Sequence, residues 1–124
     1  MEKISVLVPV YKGSHVLPKA LESLGNQTNK NFDILIGDDN KEEDIVESDK
    51  TLKAIENFHQ TLLADGSQIN IRYIKNKTNL GCHKNFENLV KEAKTKLVLF
   101  LAQDDIFSTD AVQKIIDACK VQLV

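Results

Sequence analysis

The stretch ISVLVPVYKGSHVLPKALESLGNQTNKNFDILIGDDN, residues 4–40, contains the pattern from which the architecture can be inferred. Residues 4–10 form a nearly continuous apolar run, which is typical of a strand covered on both faces. Residues 16–24 repeat apolar side chains at helical spacing, and residues 32–37 form a second apolar run. A strand, a helix and another strand in this order predict a parallel βαβ unit.

The remaining sequence continues the same alternation of helices and strands. Residues 41–49 are rich in acids and are expected to form a solvated loop or a helix start. The later elements are expected to be a helix at 52–62, a half-exposed edge strand at 69–73, a helix at 86–93, a strand at 97–102 and a helix at 112–119. The pattern predicts an α/β fold of three layers, in which helices cover both faces of a mostly parallel sheet. The strand order that we expect for this sheet is 3-2-1-4. We expect residues 1–124 to form one domain.

The composition argues against several classes of protein. Of the 124 residues, 42% are hydrophobic and 27% are charged, as in ordinary globular proteins. The net charge of −2 provides no basic face, so nucleic acid is not an expected partner. No apolar run approaches the ~20 residues of a membrane-spanning helix, and because a strand is predicted from residue 4 we expect no signal peptide. Cys82 and Cys119 have neither metal-ligand spacing nor the density of a disulfide scaffold. We therefore expect a cytoplasmic protein.

Two of the predicted strands end in a pair of aspartates. The second strand ends in Asp38-Asp39, and the fourth, within LVLFLAQDDIF (residues 97–107), ends in Asp104-Asp105. Ligands of open parallel sheets bind beyond the carboxyl ends of the strands, and Mg²⁺ or Mn²⁺ is often held there by one or two carboxylates and substrate phosphates. Aspartate is also a common turn residue. Each pair is therefore either a ligand site or the start of a turn.

Three other residues at the strand ends have both a functional and a structural interpretation. Tyr11 could stack on a nucleobase or simply pack, and Asp39 could accept a hydrogen bond from a base N–H. Gly81 could let a phosphate approach the backbone at a helix start, or it could form a plain turn. The residues alone leave these alternatives open.

Taken together, these motifs resemble the family 2 glycosyltransferases of the GT-A fold. Residues 4–40 are similar to the opening of that family at Pro9, at Tyr11, in the run 21–28 and at Asp38-Asp39. Residues 79–107 resemble a branch that carries Asn-x-Gly-x-x-x-Asn-Phe and later Asp-Gln-Asp-Asp-Ile-Trp, and that includes bacterial rhamnosyl- and galactosyltransferases of surface-polysaccharide synthesis. The resemblance implies a Rossmann-like half domain of the GT-A fold.

The resemblance also implies a site for a nucleotide-sugar donor, a UDP- or dTDP-sugar, and for a divalent cation. Asp39 would hydrogen-bond the uracil or thymine ring, Asp104 would lie near the ribose and diphosphate, and Asp105 would ligate Mn²⁺ or Mg²⁺. The residues that would border the base and ribose are Pro9, Val10 and Tyr11. Those that would shape the phosphate side are Asn79, Gly81, Lys84 and Asn85.

The sequence departs from the family pattern at four positions and in length. Lys12, Ser14, Ala102 and Phe107 stand where the family prefers Asn, an acidic residue, Asp and Trp. Members of the family also need a second half, which carries the acceptor site and the general base. We therefore expect this chain to be the donor-binding part of an inverting, metal-dependent transferase that is inactive alone, with the general base elsewhere and a glycan or lipid-linked acceptor.

A sheet that ends with the fourth strand leaves an open edge. An unpaired edge strand invites pairing or covering. We expect either self-association or peripheral contact of the full-length protein with the inner face of the membrane.

Two other functions are compatible with the predicted fold. The first is a non-catalytic nucleotide-binding or assembly module. The second is a receiver or phosphatase-like domain, which needs an aspartate at the end of the first or third strand. Those ends carry Tyr11-Lys12 and Asn76-Lys77, so this class fits poorly.

Overall fold

The computed structural model describes residues 3–122, with side chains to residue 119. In this part of the chain four strands and four helices alternate. Their bounds are β1 Ile4–Val10, α1 Leu17–Gly25, β2 Phe32–Asp38, α2 Ile45–Ala64, β3 Ile71–Lys75, α3 Cys82–Glu92, β4 Leu97–Phe100 and α4 Ala111–Gln122. The order of elements confirms the predicted alternation.

The four strands form one parallel sheet of order β3-β2-β1-β4, as predicted. β1 pairs with β2 along its whole length, up to Val10 opposite Asp38. Its pairing with β4 stops earlier, at Leu7 opposite Phe100. β1 therefore runs on without a β4 partner at its carboxyl end, and a cleft opens between the two strands where the strand order reverses.

The two faces of the sheet are covered unequally. Alternate residues of β1, such as Val6 and Val8, face a large core shared with α1, α2 and α4. The opposite face carries a small cluster around Leu7, Leu35 and Leu89, the last of which belongs to α3. Helices on both faces confirm the three-layer prediction, and among residues 3–122 the helix on the second face is α3.

Several element bounds differ from the predicted ones. The acidic segment provides the start of α2, where Asp44 caps the helix by accepting a hydrogen bond of 3.4 Å from Glu47 N–H. β4 ends at Phe100, because the chain leaves the ladder there although the sequence stays apolar. Within residues 3–122, every helix is too short or too polar to cross a membrane.

Candidate functional site

A cleft of about 350 Å³ lies beyond the carboxyl ends of β1, β2 and β4. This volume is typical of small-ligand sites. Its lining residues are Pro9, Val10, Tyr11, Asp39, Asn79, Gly81, Cys82, Asn85, Phe100, Ala102, Gln103 and Asp104. The structure thus brings together eight of the ten residues proposed from sequence, and leaves Lys84 and Asp105 outside the lining.

One wall of the cleft is the loop after β1. Tyr11 is 38% exposed, and its N–H donates to Gln103 Oε1 at 2.9 Å while its carbonyl accepts from Gln103 Nε2 at 2.9 Å. Lys12 has a φ of 50°, in the left-handed region, and its N–H donates to Asn40 Oδ1 at 2.7 Å. Because two side-chain amides from other loops hold successive residues, this wall has a defined position relative to β2 and β4.

Asp39 joins the end of β2 to the loop between β3 and α3. Its carboxylate is 2% exposed. Oδ1 accepts hydrogen bonds from Asn76 Nδ2 at 2.9 Å and Leu80 N–H at 2.8 Å, and Oδ2 accepts from Asn79 Nδ2 at 3.1 Å and Gly81 N–H at 2.9 Å. Both oxygens therefore have two protein donors each. The predicted bond from Asp39 to a base N–H stays a prediction, and it needs one of these donors to give way.

The neighbouring Asp38 lies in the core and not in the cleft. It is fully buried, and its carboxylate accepts hydrogen bonds from the hydroxyl of Tyr73 and from the backbone and side chain of Asn40. Burial, together with the bond to Asp38, raises the pKa of the Tyr73 hydroxyl. Of the two aspartates at the end of β2, Asp38 therefore holds Tyr73 and Asn40, and Asp39 holds the loop that leads into α3.

The amide of Asn85 fixes the start of α3 to the sheet. Its Nδ2 donates to the Gly37 carbonyl at 3.1 Å, and its Oδ1 accepts from Asn76 Nδ2 at 2.9 Å. A Cβ on Gly37 would lie 2.6 Å from Asn85 Oδ1, so this close packing requires glycine. Lys84, on the other hand, is exposed. The predicted phosphate roles of Asn85 and Lys84 remain predictions.

The two aspartates after β4 differ from those after β2. Asp104 and Asp105 are both exposed, and among the described side chains neither forms an ion pair. The described residues also contain no group of three or more His, Cys, Asp or Glu side chains placed to hold a metal. Mg²⁺ and Mn²⁺ are commonly bound by one or two carboxylates, with the remaining positions filled by phosphate and water. The exposed pair fits a cation of this kind that is completed by a substrate.

Four cleft residues were not singled out from the sequence. Gln103 precedes the paired aspartates, and Ala102 was noted only as a departure from the family pattern. Phe100 is 49% exposed although it lies in an apolar run, and Cys82 begins α3. The position of Gln103, between a strand end and two carboxylates, was the available signal.

Comparison with known proteins places the chain in a family. The model of the family described as glycosyl transferase family 2 matches residues 5–121. An uncharacterised glycosyltransferase of Rickettsia felis is 34% identical over 114 residues, which are 90% of this chain and 16% of that protein. The GalNAc(5)-diNAcBac-PP-undecaprenol beta-1,3-glucosyltransferase of Campylobacter jejuni is 31% identical over 106 residues, 85% of this chain and 30% of that protein.

Solved structures share the fold. Staphylococcus aureus TarS 1-349 in complex with UDP-GlcNAc superposes with a TM-score of 0.72 at 26% identity, over 95% of this chain and 30% of that one. The mannosyltransferase PcManGT from Pyrobaculum calidifontis, in complex with GDP-Man and Mn²⁺, gives a TM-score of 0.74 at 13% identity, over 93% and 31%. At that identity the second comparison shows the fold alone.

This chain spans less than a third of the length of each of these four proteins. The family model nonetheless covers nearly all of it, and the sheet order and strand-end motifs agree with the resemblance seen in the sequence. The chain belongs to glycosyl transferase family 2.

Proposed function

We propose that this chain is the donor-binding part of a glycosyltransferase whose substrate is a UDP- or dTDP-sugar. The observation that carries the proposal is the cleft at the crossover between β1 and β4, which is bordered by Tyr11 on one side and by the exposed Asp104 on the other, with the exposed Asp105 next to it in the chain. The structure of TarS with UDP-GlcNAc supports a nucleotide-sugar as the ligand class.

In this proposal the loop after β1 receives the nucleoside. Pro9 and Val10 provide an apolar floor, and the partly exposed ring of Tyr11 provides a surface on which a pyrimidine or its ribose can pack. Asp104 lies across the cleft, where its free carboxylate can accept hydrogen bonds from ribose hydroxyls. Asn79 and Gly81 line the same space, and their bonds to Asp39 give the phosphate side of the cleft its shape.

Asp105, with help from Asp104, would hold the divalent cation. Mn²⁺ or Mg²⁺ bound there would neutralise the charge that develops on the departing diphosphate. The residues of this chain bind the donor and orient its diphosphate toward the carboxylates. PcManGT, which has the same fold, is seen with Mn²⁺.

The full-length protein would complete the transfer with inversion. A general base, which we place outside this chain, takes the proton of an acceptor hydroxyl. The acceptor oxygen forms a bond to the anomeric carbon as the bond from that carbon to the diphosphate oxygen breaks. The charge on the diphosphate stays on the leaving group.

We propose a glycan or lipid-linked acceptor in the synthesis of a surface polysaccharide, at the inner face of the membrane. The support comes from the name of the Campylobacter relative, a glucosyltransferase whose acceptor carries PP-undecaprenol. In the full-length protein, or in a self-associated form of this chain, the free edge of β4 would be covered.

Thermal unfolding with nucleotides tests the donor site. We expect UDP or dTDP with Mn²⁺ to raise Tm, because a ligand at 100 times its Kd stabilises the folded state by about 2.7 kcal/mol, or roughly 10 °C here. GDP with Mn²⁺, and UDP without Mn²⁺, should give smaller shifts.

Two variants complete the experiment. Asp105→Ala should abolish the part of the shift that depends on Mn²⁺. Asp65→Ala, which removes an exposed carboxylate at the far end of α2, should retain it. An equal shift in the two variants, or no shift with any nucleotide in the unaltered chain, would contradict the proposal.

A further inference from the structure

The side chain of Gln103 reconnects two strands that have separated. The ladder between β1 and β4 closes with Leu101 N–H donating to the Leu7 carbonyl at 3.0 Å. Beyond this bond the two strands diverge, and the cleft occupies the gap. Gln103 then bridges to Tyr11 with its two hydrogen bonds of 2.9 Å. The bridge lies at the cleft itself, between the two walls that the proposed ligand would contact.

Gln103 and Tyr11 are joined by two hydrogen bonds that form a pair. A glutamine amide carries a donor and an acceptor in one plane, and here each is matched by the N–H and the carbonyl of the same residue, Tyr11. These two hydrogen bonds therefore fix both the distance and the orientation of the Tyr11 main chain, as the bonds to a neighbouring strand would. A single hydrogen bond would fix the distance to Tyr11 but not the orientation of its main chain.

The neighbouring backbone is shaped around this amide. A Cβ on Gly13 would lie 2.0 Å from Gln103 Oε1 and 2.2 Å from Cδ. These separations are far below van der Waals contact, so position 13 accepts only glycine while Gln103 stays in place. The sequence thus provides a space at Gly13 for a side chain 90 positions further along.

Gln103 is directly followed by Asp104 and Asp105. Its two hydrogen bonds to Tyr11 therefore set the distance between the loop after β1 and the two carboxylates. We propose that Gln103 is a positioning residue, whose amide holds Tyr11 at the spacing from Asp104 and Asp105 that lets one nucleoside diphosphate and its divalent cation contact both walls. The inference rests on the proposed donor site. It adds a residue whose effect reaches the ligand through Tyr11 rather than by contact.

The test measures how strongly Mn²⁺ and UDP help each other to bind. Isothermal titration gives the Kd of UDP with and without Mn²⁺, and the ratio of the two values is the coupling. Gln103→Met keeps the length of the side chain and removes both hydrogen bonds. Because the two walls then no longer hold one ligand together, we expect the coupling ratio to fall about fivefold or more, with a smaller change in the Kd measured without Mn²⁺.

Two further variants control the experiment. Gln113→Met removes an amide that also bridges two side chains, Asn29 and Asp117, but lies outside the cleft, and its coupling should equal that of the unaltered chain. Gly13→Ala displaces the Gln103 amide while leaving the glutamine present, and should lower the coupling as Gln103→Met does. A ¹H–¹⁵N spectrum of each protein establishes that it is folded, and either cleft variant suffices for the test.

The outcomes separate the two claims. If the unaltered chain does not bind UDP under either condition, the proposed function fails and the inference fails with it. If the unaltered chain shows coupling and both cleft variants retain it, the inference alone is overturned. If the cleft variants weaken UDP binding equally with and without Mn²⁺, the inference is also overturned, because the Gln103 amide would then shape only the loop that carries Tyr11.

Discussion

Asp39 shows how much of the cleft depends on one side chain. Four donors from the segment 76–81 converge on its carboxylate, which is almost completely removed from water. Hydrogen bonds to a charged acceptor are stronger than neutral ones, and buried donors that lose their acceptor are costly. The loop that leads into α3 is therefore held in place from the end of β2.

Replacing Asp39 should destabilise the whole chain. Asp39→Ala removes the acceptor of four hydrogen bonds. The N–H groups of Leu80 and Gly81 lose their acceptor, while the amides of Asn76 and Asn79 each keep a second one. We expect the free energy of unfolding to fall by about 2–4 kcal/mol. Urea denaturation measures this loss. Asp65→Ala, on the exposed end of α2, should change the value by less than about 0.5 kcal/mol. A loss below about 1 kcal/mol for Asp39→Ala would show that the loop is held by other contacts.

Single residues of the cleft could be predicted only in part from the sequence. Asp39 and Asp104 were found because the ends of parallel strands meet at one edge of the sheet. The hydrogen-bond partners of the Gln103 and Asn76 amides could not be predicted, since a side-chain amide fits equally well in many environments. Which atoms it meets is decided by contacts between segments far apart in the chain.

Among the elements, α2 is tied to the cleft wall through its first turn. Glu47 lies in that turn, and its carboxylate accepts a hydrogen bond of 2.9 Å from Ser14 N–H, in the loop that follows Tyr11. This backbone bond is the main cause that lowers the pKa of the Glu47 carboxyl below its ordinary value of 4.5. The helix and the loop are thus joined by a contact that is stronger when the carboxyl is charged.

The lowered pKa of Glu47 makes this contact sensitive to acid. A group whose pKa is lower in the folded state contributes stability above its unfolded pKa, near 4.5, and loses that contribution as the pH falls through the folded value. Glu47→Gln lacks this titration. We expect the gap in unfolding free energy between the unaltered chain and Glu47→Gln to shrink from pH 7 to pH 3, measured by urea denaturation. An equal gap at both values would contradict the assignment.

The start of α2 and the end of β4 show which parts of the elements the sequence does not determine. The alternation of strands and helices follows from long apolar periods that tertiary contacts did not override. The start of α2 was left open, because Ile45 and Val46 are exposed and interrupt the amphipathic pattern. The early end of β4 could not be predicted, since Leu101 and Ala102 continue the apolar run beyond Phe100, the last paired residue of the strand.

At the scale of the whole molecule, the cleft results from unequal strand lengths. β1 is longer than its pairing with β4, and the gap lies where the connections leave the sheet in opposite directions. The alternation alone does not locate this reversal, which follows once the expected order 3-2-1-4 is assumed. The sequence could not give the shape of the gap, which depends on where β4 leaves the ladder and on the bridge from Gln103 to Tyr11.

The most direct test of the account is to locate the nucleotide and the cation on the chain. In the ¹H–¹⁵N spectrum of the labelled protein, UDP should shift the amide signals of Tyr11 and Gly81. Traces of Mn²⁺, added in the presence of UDP, should then broaden the signals of residues 103–106 while those near Asp65 stay sharp. Broadening confined to the exposed acidic residues 42–43, or shifts away from the cleft, would contradict a donor site between β1 and β4.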